Sequence, residues 1–191
     1  LIMVTGTNSQ EELAISFQAG ATDFIAKPYA PMELIARIRA RVAARRDVVL
    51  GIGDDAAGLR TAPGHELVGT MDTLVAGHHF PHATAPRDIG WKALAVNLSD
   101  LAAMGAAPAW ITLALTLPRS DERWLEEFAA GFGQLAQRHG VALVGGDTTS
   151  GPLSVTVQVL GFAPAGRALR RDGARPGDLL CVTGTPGDAA A

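Results

Sequence analysis

Beyond Arg46 the chain spells four long strand-like runs interrupted by only two helices, and no other feature restricts its fold so tightly. The strand runs read ELVGTMDTLV, AWITLALTLP, VALVGGDTT and LSVTVQVLGFAP. One helix covers RDIGWKALAVNLSDLAAMG, whose small residues permit close packing, and the other covers DERWLEEFAAGFGQLAQRHG. In the second helix Trp124, Phe128, Phe132 and Leu135 share one face, and Gly140 ends it. An aromatic stripe at helical spacing is core, and no cofactor box is read into it. Long strands with few helices point to an α+β layer, a sheet packed against helices, rather than a doubly wound unit.

Upstream the rhythm differs. LIMVTG reads as a strand and SQEELAISFQAG as a helix, with Ser9 and Glu12 spaced as a capping box and Gly20 as its stop. TDFIAKP is a second strand, and APMELIARIRARVAARR a second helix with an apolar stripe at Leu34, Ile35 and Ile38. This βαβα order is half of an open parallel sheet. A hydrophobic share of 48% with 18% charged residues is that of a globular chain. A net charge of -3, with no basic stripe, argues against a nucleic-acid partner. The apolar stretch Leu101–Leu117 is broken by Gly105 and Pro108, so it reads as a helix end, a turn and a buried strand instead of a membrane span. The single cysteine, Cys181 in DLLCVTG, is expected in the core; it permits no intrachain disulfide and fits a reducing cytoplasm.

GIGDDAAGL follows the apolar run Val48-Val49-Leu50 and places Asp54 and Asp55 in a glycine-rich turn. Such a turn suits a phosphate, which two carboxylates repel. Asp72, Asp100 and Asp147 are likewise lone acids in otherwise apolar segments. Burying several carboxylates near one another is costly unless a divalent cation collects them, and Mg²⁺ takes carboxylates, water and substrate phosphate together. The plainer alternative is that each acid caps a turn. Gly51, Gly53 and Ala56 also match a G-x-G-x-x-A dinucleotide pattern, but that site meets pyrophosphate without metal, so the acids count against it. No Walker lysine motif and no protein-kinase motif set is present.

DVVLGIGDDAA, MDTLVAGHHF, WKALAVNLSDLAAMGAAPAWITLALTLP, VGGDTTSGPLSVTVQVLGF and GRALRRDGARPGDLLCVTGTPGDAAA, in this order and spacing, resemble the amino-terminal half of the thiamine-monophosphate kinase family. The resemblance implies an aminoimidazole-ribonucleotide-synthetase-like ATP-binding fold, a mixed sheet packed on helices, that dimerises through its amino-terminal sheet. It also implies a cytoplasmic, Mg²⁺-dependent transfer of the ATP γ-phosphoryl group to thiamine monophosphate, giving thiamine diphosphate and ADP. By the same resemblance Asp55, Thr70, Met71, Asp72, Asp100 and Asp147 fall on metal positions, Gly146 and Arg171 on nucleotide positions, and His79 on a substrate position. Met71 stands where the motif often has Thr, so only its backbone carbonyl can serve, and Asp54 is expected to orient the turn. No covalent nucleophile is implied; the protein positions and neutralises.

Residues 1–31 resemble the carboxy-terminal part of a flavodoxin-like response-regulator receiver domain, with Thr5, Phe24 and Lys27-Pro28 at its switch and phosphate-sensing positions. The helix over 32–46 fits both families, and 47–191 is expected to be the kinase-like domain, truncated at its end. The competing functions are a receiver-type signalling or docking module and a related ATP-dependent synthetase of the same fold.

Overall fold

Val155, Val157 and Val159 alternate with Thr156 and Gln158, a period of two that demands one packed and one open face. The three valines are fully buried, and the sheet built around them organises the domain. The computed structural model describes residues 2–5, 23–26, 37–38, 40–42, 44–53, 55–182 and 184. Its strands are β1 (Ile2–Thr5), β2 (Asp23–Ala26), β3 (Val48–Leu50), β4 (Gly58–Leu59), β5 (His65–Val75), β6 (Ala107–Leu117), β7 (Ala142–Ser150) and β8 (Ser154–Pro164). Its helices are α1 (Pro86–Ala103) and α2 (Glu122–His139). The expected first helix, Lys27-Pro28 and Asp54 lie outside the described residues. The second expected helix does not run to Arg46: 37–38 are helical, but 40–42 and 44–46 are turn, bend and coil, where Arg45 turns to Asp47 and the Gly140 carbonyl instead of continuing the helix.

The main sheet has the order β5-β8-β6-β7, with β8 antiparallel to both neighbours and β6 parallel to β7. The last strand is therefore central, while β5 and β7 are edges. This mixed sheet on helices is the expected α+β layer. Both helices cover one face, where Ile89, Leu94 and Leu101 of α1 and Phe128 and Phe132 of α2 join the core beneath Ile111, Leu115 and the β8 valines. The helices cross closely because two positions lack side chains. A Cβ on Gly131 would stand 1.9 Å from the Arg87 carbonyl oxygen, and one on Gly90 would stand 2.4 Å from that of Phe128. Asp121 caps α2 by accepting the Trp124 N–H at 3.1 Å, and Gly140 ends it at φ 63°. The aromatic stripe is core as expected, Trp124 stacking on Phe128 and Phe128 on Phe132. Ile38 is also fully buried in this layer, and Arg37 pairs with Glu122 of α2 at 3.0 Å.

On the opposite face the β3–β4 hairpin covers Trp110, whose surroundings include Val48, Leu59, Val144 and Phe162. Trp110 Nε1 donates to Asp47 at 3.1 Å. Arg45 grips the same carboxylate at 3.0 and 2.6 Å and the Gly140 carbonyl at 3.0 Å. Arg45's hydrogen bonds hold the Asp47 carboxyl below its ordinary range. The rest of this face is open: Met71 is 64% exposed and Leu67 50%. At the other end of the chain β1 pairs with β2 in parallel, as the strand–helix–strand reading requires.

One core assignment fails. Cys181 is exposed, as are Leu179 at 91% and Leu180 at 98%. An apolar run is buried only if a second layer covers it, and no strand among the described residues pairs with 179–182.

Candidate active site

On β5 the burial alternates residue by residue, so Val68, Thr70, Asp72 and Leu74 face the helices while Leu67, Met71 and Thr73 face away. The register agrees: Thr70 lies opposite Val159 and Asp72 opposite Val157, both buried on the helix side. The Thr70 hydroxyl donates to Asp100 Oδ2 on α1 at 2.9 Å. This bond joins the edge strand to the last turn of the helix. Asp100 carries no basic neighbour in that turn, and its charge adds to the negative end of the helix dipole. An acid there repels other acids and attracts a cation.

Asp100 also lines a cavity of about 240 Å³ with Ala103, Met104, Leu169, Arg170 and Arg171. The Leu169 N–H donates to the Met104 carbonyl at 2.9 Å, tying this segment to the helix end. Arg170 is engaged by Asp172 through two bonds of 2.9 Å. Arg171 makes no hydrogen bond or ion pair among the described residues, so its fork stays available to an anion. Carboxylate, hydroxyl and guanidinium thus meet at one place, from three segments of the sequence.

The other acids lie elsewhere. Gly146 opposes Leu113 on the helix side of the sheet, and Asp147 opposes Ala114 on the open side. Since β5 and β7 are opposite edges, three strand spacings of roughly 4.8 Å put about 14 Å between Asp147 and Asp72. Within one chain a single ion does not reach both. Among the described residues no three His, Cys, Asp or Glu side chains are grouped to hold a metal. Asp147 accepts its neighbour's N–H, that of Thr148, at 2.8 Å. Gly146 takes φ 150°, and a Cβ there would stand 2.0 Å from the Leu113 carbonyl oxygen. Asp55 is exposed beyond Gly53, in the turn after β3. The Met71 side chain points to the face opposite Thr70 and Asp72, so only its backbone is shared with them.

His79 stands in the turn after β5. Its N–H donates to the Val75 carbonyl at 2.9 Å, and the Val75 N–H donates back to His79 Nδ1 at 3.0 Å. Lys92 of α1 donates to the His79 carbonyl at 2.6 Å. Sequence reasoning missed Lys92; the available signal was a cation in mid-helix, among small and apolar residues.

Residues 53–163 match the family model of the AIR synthase related protein, N-terminal domain. The chain is similar to the thiamine-monophosphate kinase of Escherichia coli (strain K12), 58% identical over 159 residues that make up 83% of this chain and 49% of that protein. It is similar in structure to the thiamine-monophosphate kinase of Stenotrophomonas maltophilia K279a, with TM-score 0.70, 58% identity, and coverage of 78% of this chain and 46% of that one. A further solved structure, AaThiL complexed with AMPPCP and TMP, matches with TM-score 0.56 and 27% identity over 90% of this chain and 48% of its own. The chain spans about half the length of the curated relatives it matches, 49% of the Escherichia coli protein.

Proposed function

Because the chain belongs to the AIR synthase related protein family, through the N-terminal domain matched over 53–163, we propose that it carries the metal- and nucleotide-binding part of a thiamine-monophosphate kinase. The reaction is transfer of the ATP γ-phosphoryl group to the phosphate of thiamine monophosphate, leaving ADP and thiamine diphosphate. The observation that carries this reading is the Thr70–Asp100 bond, which sets Asp100 at a cavity rimmed by the unengaged Arg171. Acid binds cation, guanidinium binds phosphate, and phosphoryl transfer needs both at once. The names of the kinase relatives favour this reading over the signalling module and the synthetase.

In this proposal Asp72, Asp100, Asp55 and Asp147, the Thr70 hydroxyl and the Met71 carbonyl are the metal positions. Asp55 and Asp147 lie away from the others within one chain and would serve a separate ion, whereas Thr70 and Asp100 are hard oxygen donors at a negative helix end, which suits Mg²⁺. Bound there, the ion would neutralise phosphate charge as the transferring group moves. Arg171 would take a share of the same charge, the Gly146 backbone would lie against the nucleotide, and His79 would contact thiamine monophosphate. The open sheet face with Leu67 and Met71 is where a second copy would dock. We also assign 1–31 to a receiver-like fragment, which the parallel β1–β2 pair supports, and 32–46 to a segment shared with the kinase part, of whose described residues only 37–38 are helical. No described helix is long and apolar enough to cross a membrane, and we assign the protein to the cytoplasm.

The test is calorimetric titration of AMPPCP, with and without Mg²⁺, into the chain and its Asp72→Asn, Asp100→Asn and Asp147→Asn variants. Each substitution should weaken Mg²⁺-dependent binding while the fold survives. Unchanged affinity in all three would remove the metal reading.

A further inference from the structure

We infer that Lys92 is the positioning residue for His79, fixing the nitrogen that the imidazole presents outward; this deepens the substrate role proposed for His79 and rests on it. β5 ends at Val75, and the chain turns back through Gly77 at φ 80° to Phe80, which is buried. Between these anchors His79 is exposed. It is held by the reciprocal bonds with Val75 and by the Lys92 ammonium on its carbonyl. A backbone amide can only donate, so Nδ1 is the acceptor and the hydrogen of the neutral ring stands on Nε2. That Nε2–H has no partner among the described residues, and it can donate to an oxygen such as that of a phosphate monoester.

The Val75–His79 pair lies at a strand end in contact with water, where backbone bonds open readily. Lys92 adds a charge-assisted bond from the helix layer, thirteen residues along the chain, and so couples the turn to α1. Its own side chain is exposed, so substitution leaves the core untouched.

The test needs no ligand. In the ¹⁵N-labelled chain, Lys92→Met should speed hydrogen exchange of the Val75 amide by about tenfold, the worth of one charged hydrogen bond. The His79 Nδ1 resonance should move toward that of an imidazole free in water, and Lys92→Arg should restore both signals. Unchanged exchange and an unchanged Nδ1 resonance in Lys92→Met overturn the inference. The substrate role is tested apart, by binding of thiamine monophosphate to His79→Ala: unaltered affinity there ends that role but leaves the ligand-free signals standing.

Discussion

Replacing Gly146 with alanine should damage both the fold and the proposed nucleotide site, and the structure allows the size of the effect to be worked out. At φ 150° the position lies where L side chains rarely go, a conformational strain of about 1–3 kcal/mol. The added Cβ would also stand 2.0 Å from the carbonyl oxygen of Leu113, on the adjacent parallel strand. Backbone cannot swing aside as a side chain does, so β7 must move outward from β6, at a further cost of about 1–3 kcal/mol for overpacking. The sum is about 2–6 kcal/mol. With roughly 2–4 °C lost per kcal/mol in a domain of this size, the melting temperature should fall by about 4–24 °C. Asp147 follows directly in the chain, so its carboxylate shifts with the strand, and Mg²⁺-dependent AMPPCP binding should weaken even where the variant is folded. Differential scanning calorimetry and titration of the same sample measure the two effects. A melting temperature within about 2 °C of the parent would refute the reasoning, because neither the strain nor the contact could then be real.

Arg45 depresses the folded-state pKa of Asp47, so the stability this pair contributes is present above the unfolded carboxylate pKa of about 3.9 and is lost as pH falls through the lower folded value. Urea midpoints of the parent and Asp47→Asn should therefore differ near neutral pH and converge in acid below about pH 4, and a gap that persists in strong acid counts against the pairing. Cys181 is exposed, so the native chain should react promptly with one equivalent of a thiol reagent; a thiol that reacts only after denaturation would return Cys181 to the core.

Sequence alone determined which elements form and roughly where they stop, because those signals are local. Asp121 and Gly140 bound α2 by their own capping chemistry, and the valines of β8 declare a half-packed strand by their period. The aromatic stripe from Trp124 to Phe132 was legible as core for the same reason. The expected first helix and Asp54 fall outside the described residues, while the second expected helix gives way to turn and coil at 40–42 and 44–46, where the bonds of Arg45 to Asp47 and Gly140 compete with its helical periodicity. Strand order belonged to the tertiary structure. Asp72 and Asp147 read alike as lone acids in apolar strands, yet β8 inserts between β5 and β6 and leaves the two acids on opposite edges and faces of the sheet. Pairing of distant segments also decided that Thr70 meets Asp100, that Lys92 meets His79, and that DLLCVTG lies uncovered. Burial and side-chain partnership are properties of two surfaces brought together, and a residue's own neighbours in the chain specify only one of them.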